Sequence, residues 1–196
     1  MNVNIRYILD NIWQVLKTAS TTPGHNLRNI TVAHYADSYV SAYTVVLRAA
    51  SATRSSIAFF TDYRSPKIKH IKANPNITVC GYDTAEKIQL ILQGKASIHF
   101  QNDVAKQYWK KEGRKSRQSY MAKPAPSTVI AQESDGLDDF RNKNFDEQDT
   151  AGYENFAVIE IQLHQLEYLH LSHEGNRRAQ FTMQPDGDWQ GNWLIP

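Results

Sequence analysis

A chain of 196 residues, 41% hydrophobic and 21% charged, has the length for one domain with a sizeable core and the composition of a soluble globular protein. Its formal net charge of +2 gives no overall field for nucleic acid or an anionic membrane, so any anion site must be local. A single cysteine, Cys80, excludes an intrachain disulfide and suits a reducing compartment, and no apolar run approaches the roughly 20 residues of a membrane span. The expectation is one soluble, cytoplasmic domain over residues 1–196.

The first element is an amphipathic helix. Ile5, Ile8, Leu9, Ile12, Trp13 and Leu16 recur at i, i+3, i+4 and i+7, and Pro23-Gly24 closes the segment. The period then changes to that of strands. Residues 29–35 and 39–48 are rich in β-branched and aromatic residues and flank Asp37-Ser38, which predicts a hairpin. Residues 56–61 form another strand. Residues 65–74 read as a helix with Ser65 at the N-cap, Pro66 at the first helical position and Asn74-Pro75 as the stop. Strands over 77–82 and 87–100 follow, with Cys80 read as a small buried strand residue. Helices are expected over 102–109 and 115–121. Residues 123–149 read as a long loop with one short helix, and strands resume at 156–163, 167–171, 178–183 and 189–195. Trp13, Tyr35, Tyr39, Phe59 and Phe100 are expected in the core.

About eight strands with short interleaved helices indicate an antiparallel barrel rather than a parallel α/β sheet. No Gly-x-Gly-x-x-Gly follows a strand, so a Rossmann site is not expected. His164, His170 and His173 have no zinc-site spacing, and no metal is expected.

Local chemistry concentrates in four places. Tyr43-Thr44-Val45-Val46-Leu47-Arg48 is a strand ending in a cation. Phe60-Thr61-Asp62-Tyr63-Arg64-Ser65-Pro66-Lys67 runs from a strand into a helix start. There the hydroxyls of Thr61 and Ser65, the charge of Lys67 and free backbone N–H groups form a candidate phosphate cradle. Gln89, five residues before Gly94, offers an amide that both donates and accepts. Arg177-Arg178 opens a late strand.

Taken in order, these segments resemble the pyridoxamine 5′-phosphate oxidase family and its FMN-binding relatives. That resemblance implies a mainly β antiparallel split barrel with peripheral helices, an FMN cofactor, and a homodimer with the flavin at its two-fold interface. By position, Thr61, Ser65 and Lys67 would hold the FMN phosphate. Val45, Val46 and Leu47 would pass along the flavin ring, with Arg48 near its reactive edge and the best catalytic candidate. Tyr43 and Phe60 fall within the matched cofactor motifs, Gln89 would bond the ring's polar edge, and Arg178 would reach FMN from the partner chain. The segment Trp109, Arg117, Tyr120 and Pro124 to Ser127 resembles a subgroup with a wall over the flavin, which makes Arg117 and Tyr120 substrate-binding candidates. Three departures stand out. Tyr43 replaces a phosphate-binding arginine, Pro66 replaces a second helix-start cation, and Glu174-Gly175-Asn176-Arg177-Arg178 replaces a run that grips pyridoxal phosphate. The expected function is an FMN-dependent oxidoreductase of a small amine or B6-type compound. The alternative is a non-catalytic flavin, haem or B6-vitamer binding protein on the same barrel.

Overall fold

Helix α1 (Ile5–Thr21) starts where the Asn4 side chain accepts from the Arg6 N–H, and it buries Ile8, Leu9, Ile12, Trp13 and Leu16 along one face. It runs past Leu16 because Arg28 caps its far end. One guanidinium nitrogen donates to the carbonyls of Ala19 at 3.2 Å and Ser20 at 2.9 Å. The structure, a computed structural model, describes residues 4–140 and 152–196.

After a 3-10 turn come β1 (Asn29–Ala36), β2 (Tyr39–Val46), β3 (Ala49–Ser51) and β4 (Ser56–Asp62), then α2 (Pro66–Ala73). Strands β5 (Asn76–Asp83) and β6 (Ile88–Phe100) lead to α3 (Asp103–Lys111) and the single turn α4 (Arg114–Gln118). The chain ends with β7 (Phe156–His170), β8 (Arg177–Met183) and β9 (Trp189–Leu194). A 3-10 turn, Asp138–Phe140, is the short helix expected in the long loop, whose residues 141–149 lie outside those described.

Every pairing is antiparallel, in the order β2-β1-β5-β6-β7-β4-β3, with β8 on β7 and β9 on β8. The sheet curls but does not close: among the described residues β2 has β1 on one edge and no strand on the other. This is a split barrel. At the split the chain crosses over, and the Arg48 N–H donates to the Ala58 carbonyl at 2.8 Å.

Alternation fills the interior with Ile30 and Val32, Ile77 and Val79, Leu90 and Leu92, and Ile159 and Ile161, closed by α1. A smaller cluster of Ala58, Trp109, Tyr120, Phe156 and Val158 packs on the opposite side of β4 and β7 under α3. Strand β4 is therefore covered on both faces.

Several expectations change. The strands expected at 156–163 and 167–171 are one, because β6 is long enough to pair with both halves. A bulge at Gln93/Gly94 absorbs His164, which has no partner opposite. Strand β2 stops at Val46 so that the chain can cross to β3. Cys80 is exposed, since Val79 and Gly81 take the inward positions. Tyr35 and Tyr39 are also outside the core, 50% and 62% exposed. The second helix expected at 115–121 shrinks to α4.

Candidate functional site

The split creates a cavity of about 340 Å³. Tyr43, Thr44, Val45, Val46 and Arg48 line it from β2 and its exit, Phe60 and Thr61 from β4, Lys67 from α2, and Tyr120 from above.

At one end lies the cradle. Ser65 occupies the N-cap of α2, yet its hydroxyl caps nothing. Instead the Lys67 ammonium donates to Ser65 Oγ at 2.8 Å and to Thr61 Oγ1 at 3.4 Å. Ser65 and Thr61 are 5% and 8% exposed, so the cluster is built into the wall. The nearest carboxylate does not neutralise it. Asp62 accepts from the Arg64 backbone N–H at 2.8 Å and from its guanidinium at 3.0 and 2.7 Å. Arg64 in turn donates to the carbonyls of Ala122 and Lys123, which fastens the segment after Tyr120 to the cradle.

Burial pushes the Lys67 pKa down, with Asp62 opposing. Its ammonium lies 4.8 Å from the centre of the Tyr43 ring, an attractive cation–π placement. Burial pushes the Tyr43 phenol up, so it stays protonated, and its buried hydroxyl has no hydrogen-bond partner among the described residues. A buried donor without a partner costs about 1–3 kcal/mol, so its presence beside a cation is informative. Two hydroxyls, an ammonium and a helix start suit a phosphate monoester.

The rest of the cavity suits a flat ring. The free edge of β2 presents Val45 and Val46, and Phe60 forms part of the opposite wall. Tyr120 is 9% exposed and is held edge-on by Phe156, with ring centres 5.0 Å apart. The residues present therefore fit FMN at both its phosphate and its ring.

Arg48 closes the cavity. Its guanidinium pairs with Glu112 at 3.3 Å, donates to Ser116 Oγ at 3.3 Å, and lies 5.3 Å from the Phe60 ring centre.

Other expected site residues lie elsewhere. Leu47 is fully buried in the core, and its N–H donates to the Arg28 carbonyl. Arg117 donates to the carbonyls of Trp109 and Lys110, each at 3.1 Å, and stacks on the Trp109 ring, so it fastens the end of α3. Gln89 pairs with Leu169, which pairs with Arg178, placing all three in one row on the outer face of the sheet. Within one chain neither Gln89 nor Arg178 lines the cavity. Arg178 is bound to Glu167 at 2.7 Å.

Sequence reasoning missed Thr44, Glu112 and Ser116. Thr44 sits inside a motif already singled out, whereas nothing local marks Glu112 as the partner of an arginine 64 positions earlier. A larger hollow, about 450 Å³, lies between α1 and the β5–β6 turn. Its buried carboxylate, Asp83, is occupied by Asn26 and by the N–H groups of Ala85 and Glu86, which is turn architecture.

Comparison with known proteins agrees with this geometry. The family model for pyridoxamine 5′-phosphate oxidase matches residues 31–170. A search of curated proteins gave no match. Among solved structures, a pyridoxamine 5′-phosphate oxidase-related, FMN-binding protein from Nostoc punctiforme superposes with a TM-score of 0.77 at 18% identity, over 100% of both chains. PhzG from Burkholderia lata, solved with tetrahydrophenazine-1-carboxylic acid, gives 0.73 at 14% identity over 97% of this chain and 92% of that one. A relative of general stress protein 26 from Clostridium acetobutylicum gives 0.56 at 10% identity, covering 90% and 95%. At these identities the structural likenesses speak for the fold.

Proposed function

The chain belongs to the pyridoxamine 5′-phosphate oxidase family, and on that premise we propose that it is a cytoplasmic, homodimeric FMN-dependent oxidoreductase whose flavin lies in the cavity at the barrel's split. The observation that carries this reading is the convergence of Thr61, Ser65 and Lys67 beside an apolar slot along a free strand edge. Bound FMN would supply two-electron redox chemistry. The protein's own residues do the rest. Lys67 and the two hydroxyls would hold the phosphate, Val45, Val46 and Phe60 would line the ring, and Tyr120 would shield it from water.

The placement of Gln89 and Arg178 supports the homodimer. They lie on the outer face, away from their own cavity, so a flavin could use them only from a second copy. The exposed thiol of Cys80 suits the reducing cytoplasm. The substrate class is a small amine or B6-type compound.

A second reading, a protein that holds FMN or a B6 vitamer without turnover, is favoured by one observation. The cradle carries a single cation, with Tyr43 and Pro66 where the family motif has two more. The test is a stopped-flow screen of small amines and B6 vitamers against FMN-loaded protein. Bleaching of the flavin band by any of them supports the enzyme. Retained flavin that no reductant in the screen bleaches supports the binding protein.

A further inference from the structure

Two cations line the cavity, and their partners differ. Lys67 is held by hydroxyls and an aromatic ring, which leaves its charge available to an anion. Arg48 is held by a carboxylate, Glu112, with side chains only 24% and 15% exposed. Ser116 and the Phe60 ring fix the guanidinium on its other sides.

Glu112 is placed firmly. It is the C-cap of α3, with its N–H on the Trp109 carbonyl at 3.2 Å and an extended backbone that turns the chain toward α4. Arg117 clamps the same end of α3 through the Trp109 and Lys110 carbonyls. Glu112 is also the sole acid between Asp103 and Glu133, flanked closely by Lys110, Lys111, Arg114 and Lys115. Despite those neighbours its carboxylate reaches a cation on a different element.

We propose that Glu112 sets the charge of the substrate pocket, so that the protein takes an uncharged or cationic substrate and rejects phosphorylated and carboxylate-bearing ones. The proposal rests on the flavin reading of the cavity. An anion approaching Arg48 must either displace Glu112, stranding a largely buried carboxylate, or sit beside it against like-charge repulsion. An amine or a neutral molecule meets neither obstacle. The phosphate-holding cation and the substrate-side cation are thereby separated: Lys67 stays open to a cofactor phosphate, while Arg48 is closed to a substrate phosphate.

The test is an NMR titration of FMN-loaded protein with inorganic phosphate, following the Arg48 Nε–H signal in the wild type and in Glu112→Gln. The wild-type signal is expected to stay unmoved across concentrations that shift it in E112Q, with at least a tenfold tighter apparent affinity at Arg48 in the variant. Equal titration in both proteins, or none in E112Q, overturns the proposal. Should E112Q not fold, the wild type alone decides. An Arg48 signal that titrates with phosphate, or at least a tenfold preference for pyridoxamine 5′-phosphate over pyridoxamine, overturns it. An Arg48 signal that stays unmoved, with no such preference, supports it. Failure of the flavin reading shows separately, as loss of FMN on desalting, because the Arg48 signal is read residue by residue whether or not flavin is retained.

Discussion

Position 43 is where sequence and structure together say more than either alone. A tyrosine stands where the family motif has an arginine, and the sequence offers no reason for it. The structure shows what it does there: the ring face lies 4.8 Å from the Lys67 ammonium, an attractive cation–π placement. Two measurements follow. Lys67→Ala removes a charge-assisted contact worth about 1.5–3 kcal/mol, so FMN affinity by fluorescence quenching should fall at least tenfold. Tyr43→Phe keeps the ring and removes the orphan hydroxyl. It should raise the melting temperature of the flavin-free protein, while a fall in melting temperature would contradict the account.

The pH dependence of the cradle has a definite sign. Burial lowers the Lys67 pKa from its ordinary 10.5, so the charge that an anion needs is lost earlier as pH rises. FMN affinity should therefore fall with rising pH through a window that begins below 10.5, and Lys67→Arg should hold it to higher pH. For the flavin-free protein the sign reverses. The penalty of burying charged Lys67 is present in full below its folded pKa and disappears as pH rises, so stability gains across that window.

At the scale of elements, helices and strands with a clean period were legible, and elements defined by partners were not. The stripe from Ile8 to Leu16 announced α1, and Leu16→Ala should cost about 2–5 kcal/mol in denaturant unfolding, because its site is closed on all sides. The end of α1 at Thr21, just before Pro23-Gly24, was legible as well, and Arg28 from the next turn caps its last carbonyls. What the sequence hid was the unity of β7. The polar stretch His164-Gln165 reads as a break until β6 is seen beside it. Gly94 marks that place: a Cβ there would lie 2.7 Å from the Ile161 side chain and against the Gln162 backbone. Gly94→Ala should accordingly destabilise the protein by about 1–3 kcal/mol, and a neutral result would mean the bulge relaxes freely.

The site divides along the same line. Thr61, Ser65 and Lys67 were readable because one strand-to-helix junction carries them all. Arg48, Phe60 and Tyr120 were readable by motif, yet their convergence depends on the chain crossing the split. Glu112 and Ser116 were not readable, because they meet Arg48 only after α3 folds back over β4.

At the scale of the whole molecule, the residues proposed to hold the flavin fall in two sets on one chain. The cradle and slot face the split, and the Gln89–Leu169–Arg178 row faces outward. If a second copy unites them, Gln89→Ala should lower FMN affinity several-fold even though Gln89 does not line the cavity of its own chain. Light scattering of that variant should still report a dimer. A monomeric wild type, or an unchanged FMN affinity in Gln89→Ala, would remove the second copy from the account.

The central claim is that this cavity holds FMN, and the most direct test is the visible absorbance spectrum of the purified protein, incubated with FMN and then desalted. The account predicts oxidised-flavin bands at about one flavin per chain, lost in Lys67→Ala protein that elutes at the wild-type position. A wild-type protein that leaves the column colourless would contradict it, and would mean that a single cation in the cradle does not suffice to hold the cofactor phosphate.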